Sequence, residues 1–334
     1  MLDADGLVWR RFTQPVAAHY LLPIDNYFRT KFHLVTACAR TGVPLPGSTL
    51  IREVCEDKRL LTTAMRDVAG LRLARELVLR ANDAWPWPSA LERFCAEHDL
   101  AALVTKPVDG FGGSGIDFWR WPEDRAALLA RLEAVRAAGS DWLVQERLRS
   151  VPTLDGREWN IRQYVLRRTA TRIEAAWRRV RIGQGVINTT RGAESCTVEQ
   201  LLANIAPERR AALAQTVQAT DQIAAAVLRR LEQYLYEQFH PALQRYVGSG
   251  SNLEPDLLAL DFIISEIGSQ QYALYLLEIN DFASGGMRDY EVLAQREVWP
   301  EAERIAAIHP FSLAPAMLDM AAWRGAAYRQ ARQP

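Results

Sequence analysis

The spacing of apolar and polar positions predicts alternating strands and helices along most of the chain. Two apolar runs at 257–265 and 272–279 flank a polar Gly-Ser turn, which is typical of a β-hairpin. Apolar residues three and four positions apart indicate amphipathic helices, which we expect at 28–40, 60–68, 89–98, 125–138 and 207–239. Shorter apolar runs indicate further strands, at 77–79, 100–106, 141–148, 157–166 and 172–182. The pattern therefore predicts a chain that contains both strands and helices.

Polar oxygen atoms interrupt the apolar runs of the hairpin at Asp261, Glu278 and Asn280. Residues two apart on a strand face the same side, so Glu278 and Asn280 point one way, and Asp261 joins them if the strands pair. Two carboxylates and an amide oxygen are hard ligands suited to a Mg²⁺ ion that holds the phosphates of a nucleotide. The alternative is a sheet edge whose polar residues face water.

Composition excludes several classes of function. The 334 residues allow two or three compact units, and 40 basic residues balance 40 acidic ones, which gives no support to nucleic-acid binding. The cysteines lie at 38, 55, 95 and 196 without a CxxC pair or zinc spacing, which favours a reduced, cytoplasmic setting. No apolar run reaches membrane-spanning length, and no signal-like segment follows Met1, so we expect no membrane association.

Lysine is rare in this chain, because only Lys31, Lys58 and Lys106 are lysine among its 40 basic residues. A retained lysine indicates a compact point charge that arginine cannot replace, with chance survival as the alternative. Lys106 ends a predicted strand just before the loop 109–115, which contains four glycines and a serine. Such a loop lets backbone N–H groups approach phosphates closely, although it could also be a flexible turn. It is not a Walker A loop, because no Gly-Lys-Ser/Thr opens a helix.

An arginine-rich region follows the strand that ends in Gln145 and Glu146. Eleven arginines lie between 147 and 191, and some of them must be solvated. One or two guanidinium groups from 178, 179 and 181 could reach a phosphate or an acyl phosphate. A small-residue loop at 281–290 could close on a substrate.

The order and approximate spacing of these motifs resemble the ATP-grasp superfamily. The motifs are Asp57-Lys58, Lys106-Pro107 with the glycine loop, Gln145-Glu146, Arg178-Arg179 with Asn188, and Asp261 with Glu278 and Asn280. The resemblance covers 42–287. Segment 42–79 looks like the D-alanine–D-alanine ligases, whereas 177–193 looks more like the ribosomal-protein glutamate ligases and glutathione synthetases. No single member matches closely.

The resemblance implies an ATP-grasp fold, in which two α+β subdomains grip a nucleotide. Its parts would be a truncated leading segment at 1–50, a central lid subdomain at 51–148, and a carboxy-terminal subdomain with the metal site and a helical tail at 149–334. The leading domain often supplies contacts to the acceptor substrate, and the resemblance implies that it would be shortened here. A partner subunit, such as the second copy in a homodimer, could complete the substrate site.

The resemblance also implies which residues bind the nucleotide. Two lysines would contact the α- and β-phosphates, a loop would cover them, and the end of a strand would line the adenine slot. The two lysines would be Lys58 and Lys106. The loop residues would be Gly112, Gly113, Ser114 and Gly115, and the adenine slot would be lined by Gln145, Glu146 and the backbone around Arg147.

The remaining motifs would carry the chemistry. Arg178 or Arg179 would neutralise the transferred phosphoryl group, in a catalytic set with Asn188. Mg²⁺ would be held by Asp261, Glu278 and Asn280.

The implied reaction joins a small carboxylic acid to an amine, such as an amino acid or a peptide, at the expense of ATP. The carboxylate attacks the γ-phosphate to give an acyl phosphate, and the amine then displaces phosphate. Such an enzyme mainly positions its reactants and offsets negative charge. Two alternatives stay open on the same fold: a phosphotransferase acting on a small alcohol, and a nucleotide-binding pseudoenzyme or scaffold.

Overall fold

The computed structural model describes residues 2–3, 6–7, 54–55, 57–83, 86–108, 113–167, 169, 171–188, 191–247 and 257–280. The expected helix at 28–40 and the small-residue loop at 281–290 lie outside these residues. The elements in chain order are β1 (Leu2–Asp3), β2 (Gly6–Leu7), α1 (Lys58–Met65), β3 (Arg72–Leu73), β4 (Glu76–Leu79), α2 (Trp87–His98), β5 (Ala102–Pro107), β6 (Asp117–Arg120), α3 (Arg125–Ala137), β7 (Trp142–Glu146), β8 (Glu158–Arg167), β9 (Ile173–Gly183), β10 (Glu194–Cys196), α4 (Val198–Ala203), α5 (Pro207–Val247), β11 (Leu257–Gly268) and β12 (Gln271–Asn280).

A six-stranded sheet forms the larger half, in the order β10-β9-β8-β11-β12-β3. Its neighbours are antiparallel except for the parallel pair β12–β3. The predicted hairpin is present as β11 and β12 and lies inside this sheet. Helices α1, α4 and α5 cover one face and enclose a core that includes Trp159, Phe262 and Leu231.

A four-stranded antiparallel sheet forms the smaller half, in the order β4-β7-β5-β6. Helices α2 and α3 cover one face, and Leu91, Leu103, Leu128 and Val144 are buried between helices and sheet. Because strand residues alternate between faces, the neighbours of Val144 and Leu103 point to the opposite, uncovered side. That side faces the larger sheet.

The long helix α5 spans 41 residues and runs to Val247, beyond the predicted end at 239. At 1.5 Å per residue its length is about 61 Å. Its buried positions recur every three or four residues and pack on the six-stranded sheet, at Leu213, Val217, Thr220, Ala224, Val227, Leu231 and Leu235.

Short elements account for most differences from the predicted pattern. The two-residue strand β3, the four-residue strand β6 and the three-residue strand β10 carry too few residues for a periodic signal. The polar segment 188–195 has no strand pattern, yet Glu194–Cys196 pairs with β9. Thr197 then caps α4 in a capping box with Gln200, a sequence signal that was missed. None of the described helices has the length and apolar character needed to cross a membrane.

Candidate active site

A cleft lies between the uncovered faces of the two sheets. It contains about 1070 Å³ of empty space, part of it open to solvent. One wall comes from β5, β6 and β7, and the other comes from β8, β9, β11, β12 and the segment after β9. The fold therefore brings residues from most of the chain to one place.

Two lysines meet in the polar part of this cleft. Lys58 is the first residue of α1, where Asp57 caps the helix, and its Nζ donates a hydrogen bond to the carbonyl oxygen of Val108 at 3.1 Å. Lys106 lies on β5 with its side chain towards the cleft. Burial lowers the pKa of Lys106 to about 8, and the nearby charge of Lys58 contributes to that shift. Two ammonium groups held together in a buried cleft form an electrostatic site for an anion.

The described part of the glycine loop lies beside these lysines. Gly113 and Ser114 line the cleft, and Gly113 has a φ of +75°, which favours glycine. A Cβ atom at Gly113 would lie 2.5 Å from Cγ1 of Val186, so a side chain there would collide with the segment after β9. Residues 109–112, including Gly112, lie outside the described residues, and the expectation that the loop closes over phosphates stays a prediction.

The cleft also has an apolar lining. Three apolar side chains come from one wall and three from the other, and they are Val104, Ile116 and Phe118, and Leu148, Ile263 and Leu277. Gln145 lies at the border between this apolar slot and Lys106. A slot with apolar walls and a few polar groups at its edge suits a flat aromatic ring such as a nucleobase.

A row of charged residues crosses four strands on the cleft face of the larger sheet. Arg179 on β9 is the register partner of Arg162 on β8, which pairs with Asp261 on β11, which pairs with Glu278 on β12. Arg162 donates from Nε and Nη2 to the two oxygens of Asp261, both at 2.7 Å. Arg181 lies on the same face and places its Nη2 2.9 Å from Oδ1 of Asp261. Burial alone would raise the pKa of Asp261, but these two guanidinium groups hold it well below its usual range.

A β-bulge at Leu277 puts Glu278 into this row. Asp261 pairs with Glu278, and the next residue, Phe262, pairs with Leu276. One step along β11 therefore corresponds to two steps along β12, and Leu277 is the extra residue. Desolvation by the cleft walls raises the pKa of Glu278, and the facing carboxylate of Asp261 raises it further. The Nδ2 atom of Asn280 donates to Oε1 of Glu278 at 3.4 Å. The three predicted ligand positions are therefore adjacent.

Comparison with solved structures matches this architecture to known enzymes. The D-alanine–D-alanine ligase of Coxiella burnetii superposes with a TM-score of 0.53 at 14% sequence identity, over 90% of this chain and 66% of that enzyme. The chain has the ATP-grasp fold. Further matches are D-cycloserine synthetase DcsG (TM-score 0.47, 15% identity, 76% of this chain and 72% of that one) and the ATP-grasp ligase PsnB complexed with minimal precursor (TM-score 0.41, 19% identity, 78% and 67%).

The comparisons confirm the predicted fold and the resemblance to ATP-grasp ligases, with no close single match. No family model and no curated protein matches the sequence. At these identities the similarity concerns the fold, and the chain spans just under two thirds of the length of the C. burnetii enzyme. Any assignment of substrates must come from the residues of this chain.

Among the predicted metal ligands, Glu278 is the carboxylate that is open to the cleft. Its side chain is 38% exposed, its carboxylate faces that of Asp261, and its Oε1 atom lies 3.6 Å from Nη2 of Arg162. Asp261 differs from the expectation, because both of its oxygens already accept hydrogen bonds from Arg162. Mg²⁺ often binds through one or two carboxylates, with substrate phosphates completing its shell. Glu278 with the amide of Asn280 satisfies that requirement. No group of three or more His, Cys, Asp or Glu residues suited to a metal occurs among the described positions.

Not all of the predicted catalytic residues reach the cleft. Asn188 lines it, but Arg178 points away, to the face of the sheet that α5 covers. There Arg178 donates to the carbonyl oxygen of Val217 at 2.7 Å and pairs with Asp221. Arg179 is buried on the cleft face and donates from Nε to Oγ of Ser195 at 2.6 Å.

The expected adenine-slot residues Gln145, Glu146 and Arg147 all line the cleft. The Oε1 atom of Glu146 also accepts a hydrogen bond from the backbone N–H of Arg75 at 2.9 Å. The guanidinium of Arg147 lies 4.4 Å from the ring centroid of Phe118, in a cation–π contact at the cleft wall. The backbone N–H of Arg147 donates to the carbonyl oxygen of Ala102, so it is committed to the sheet.

One residue that lines the cleft, Arg181, and two residues bonded to cleft residues, Arg162 and Glu76, were not selected from the sequence as site residues. Arg181 appeared only as one of three arginines that could reach a phosphate, and Arg162 only as a member of the arginine-rich region. Glu76 was not noted at all, although its carboxylate accepts a hydrogen bond from Gln145 at 2.7 Å. The parity of β9 offered one signal, because residues 179 and 181 must share a face that 178 does not.

Proposed function

We propose that this protein is an ATP-dependent ligase that joins a carboxylic acid to an amine through an acyl phosphate and releases ADP and phosphate. The observation that carries the proposal is the meeting of Lys58 and Lys106 at one wall of the cleft, opposite the row that contains Asp261 and Glu278. Cationic and metal-binding groups that face each other across a cleft provide what phosphoryl transfer needs.

The triphosphate would lie in the polar part of the cleft. Lys106 is partly buried there, and its lowered pKa means that its charged form costs free energy in the absence of an anion. A phosphate group would relieve that cost, which makes the pair of lysines a better anion site than surface lysines would be. Gly113 and Ser114 offer backbone N–H groups in the same part.

Transfer of the γ-phosphoryl group would take place beside Arg181. Its guanidinium is held by Asp261 and by Oδ1 of Asn160, which accepts from Nε at 2.8 Å, so its position is fixed before any ligand binds. Preorganised charge of this kind stabilises negative charge that develops in a transition state. Glu278 and Asn280 would hold Mg²⁺, which when bound neutralises phosphate charge.

The chemistry needs no nucleophile from the protein. The substrate carboxylate attacks the γ-phosphorus of ATP, the bond to the β-phosphate oxygen breaks, and ADP leaves. The amine then attacks the acyl carbon, phosphate leaves, and the amine gives up a proton. The acid and the amine would be small molecules, such as amino acids or a peptide.

A screen of carboxylic acids and amines with ATP tests this proposal. The expected result is release of ADP and phosphate that depends on both partners, with an amide product detected by mass spectrometry. Transfer of phosphate to an alcohol without an amine requirement would indicate a phosphotransferase instead. Nucleotide binding without turnover over the whole panel would indicate a binding protein. Glu278→Gln is the matched inactive control, because it keeps the shape of the side chain.

A further inference from the structure

The cleft is lined by a polar group that contains Lys58 and Lys106 and by an apolar group that contains Phe118 and Leu277, and this difference can orient a bound nucleotide. If the proposed function is correct, the triphosphate lies at Lys58 and Lys106, and the base enters the slot between Phe118 and Leu277. The base then stands beside the row of side chains at which β4, β7 and β5 meet. In that row Glu76 is the register partner of Gln145, and Gln145 is the register partner of Val104.

Gln145 is the uncharged amide at the border of this slot. Its neighbour Val144 points into the core under α2 and α3, so Gln145 points to the cleft. Its Nε2 atom donates to Oε2 of Glu76 at 2.7 Å. Within the part of the chain that the structure describes, no hydrogen bond involves Oε1 of Gln145. The amide therefore has one group committed to the protein and one group left to accept from a ligand.

The charged neighbours of Gln145 are less available. Glu146 is bound to the backbone of Arg75, and Arg147 stacks on Phe118 while its Nη2 atom lies 3.5 Å from Glu158. In neither contact is the side chain directed at the edge of the base. The amide of Gln145 is therefore the side-chain group that can distinguish one base from another at that edge.

Glu76 determines which way this amide faces. An ionised carboxylate can only accept hydrogen bonds, so it requires the Nε2 side of Gln145 and turns Oε1 away from itself. Burial raises the pKa of Glu76, whereas the hydrogen bond from Gln145 and the positive charges of Lys106 and Arg66 favour its ionised form. Without Glu76 the two ends of the amide would be interchangeable.

We propose that Glu76 is a positioning residue that makes this cleft select adenine over guanine. With Nε2 held by Glu76, Gln145 presents a hydrogen-bond acceptor to the base. Adenine carries a 6-amino group, which donates, whereas guanine carries a 6-oxo group, which accepts and would face Oε1 unpaired. Leaving buried polar groups unpaired is a strong source of discrimination.

Affinities for non-hydrolysable analogues of ATP and GTP with Mg²⁺, measured by calorimetry, test the proposal. Wild-type protein should bind the ATP analogue at least about tenfold more tightly, the scale of one unpaired hydrogen-bonding group. In Glu76→Gln the new amide can donate to Oε1 of Gln145 and release Nε2 to the base, so this preference should fall by about tenfold. Glu266→Gln is the matched control, because Glu266 lies outside the cleft and pairs with Arg209.

The ratio of the affinities for the ATP and GTP analogues distinguishes an effect on the orientation of the Gln145 amide from a general electrostatic effect. Both nucleotides carry the same triphosphate, so a change in the field at Lys106 shifts both affinities together and leaves the ratio unchanged. Gln145→Met removes the amide while Glu76 stays in place, and it should lower the ratio as well. This second variant decides the question if Glu76→Gln does not fold.

A third ligand, the triphosphate of purine riboside, lacks the 6-amino group and isolates the contact. Wild-type protein should bind it more weakly than the ATP analogue, and Glu76→Gln should bind the two almost equally. Failure of wild-type protein to bind any of the three nucleotides would overturn the proposed function. Binding of the ATP analogue with the same ratio in wild type, Glu76→Gln and Gln145→Met would overturn the role of Glu76 and leave the proposed function standing.

Discussion

Asp261 and Glu278 lie directly opposite each other on β11 and β12, and the bulge at Leu277 creates this pairing. Without the extra residue, Leu277 would face Asp261 and Glu278 would point to the opposite side of the sheet. The two carboxyl groups differ in state although they are neighbours. Asp261 is stabilised as an anion by Arg162 and Arg181, whereas burial and Asp261 itself raise the pKa of Glu278.

Glu278→Gln should separate activity from stability. We expect ATP turnover to fall by at least about a hundredfold, because a charge is lost where Mg²⁺ and phosphates would bind. An acid whose pKa is raised in the folded state lowers stability progressively as pH rises from its unfolded pKa to its folded pKa. The variant should therefore have an unchanged or higher melting temperature at neutral pH.

The control for this substitution is Glu266→Gln, on the neighbouring strand and outside the cleft. It should keep normal turnover. Near-normal turnover of Glu278→Gln, measured as ADP release, would end the assignment of Glu278 to the metal.

Lys106 should make nucleotide binding depend on pH near 8. Phosphate favours the charged form of Lys106, whose pKa is lowered to about 8 in the free protein. Binding a non-hydrolysable ATP analogue above that pH should take up a proton, seen as a dependence of the calorimetric heat on the buffer. Lys106→Met should bind the analogue at least about tenfold more weakly, on the scale of a lost charge-assisted hydrogen bond, and should lose this proton uptake.

The lowered pKa of Lys106 also predicts how the stability of the folded protein changes with pH. Because the pKa of Lys106 lies below its ordinary value of 10.5, the unfolded chain binds more protons between about pH 8 and 10.5. The contribution of Lys106 to stability should rise with pH over that window and vanish in Lys106→Met. A variant with unchanged affinity and unchanged proton uptake would remove Lys106 from the phosphate site.

Arg181 and Arg178 form a matched pair on opposite faces of β9. Arg181→Lys keeps a positive charge but removes the guanidinium group that contacts both Asp261 and Asn160. We expect turnover to fall about a hundredfold, the scale of one preorganised electrostatic contact. Arg178→Lys alters the contacts with Val217 and Asp221 under α5, so it should lower the melting temperature and leave turnover near normal. If Arg178→Lys lowered turnover and Arg181→Lys did not, the assignment of the phosphoryl site to the cleft face of β9 would be contradicted.

Gly113 and Gly156 provide a second matched pair, with φ values of +75° and +77°. A side chain in this backbone region costs roughly 1–2 kcal/mol at either position. A Cβ at Gly113 meets Val186 at 2.5 Å, whereas one at Gly156 meets nothing within 4 Å. Gly113→Val should therefore lose activity well beyond Gly156→Val. Hydrogen exchange at amides 113–115 gives an independent check, since a bound ATP analogue with Mg²⁺ should slow it.

The sequence predicted the hairpin and the lysine pair because each depends on local patterns. Alternating apolar residues around a Gly-Ser turn define β11 and β12, and rarity singled out Lys58 and Lys106. The choice among the arginines at 178, 179 and 181 depended on which face of β9 meets the cleft. The sequence pattern does not give that face, because β9 carries arginine on both sides.

The partners of Asp261 and the role of Glu76 depended on long-range register. Arg162 reaches Asp261 across 99 residues of chain, and Gln145 reaches Glu76 across 69. Strand order and register set both pairings. The bulge at Leu277 sets a third one, between Asp261 and Glu278. A bulge has no period in the sequence, so it could be recognised only once the strands were paired.

The most direct test of an acyl phosphate follows the oxygen atoms of the acid substrate. Once the screen provides an acid and an amine, the acid is labelled with ¹⁸O in its carboxylate and turned over with ATP. Attack of that carboxylate on the γ-phosphate should leave one ¹⁸O atom in the released inorganic phosphate, with ADP as the nucleotide product. Phosphate without ¹⁸O, or label found in AMP, would contradict the account.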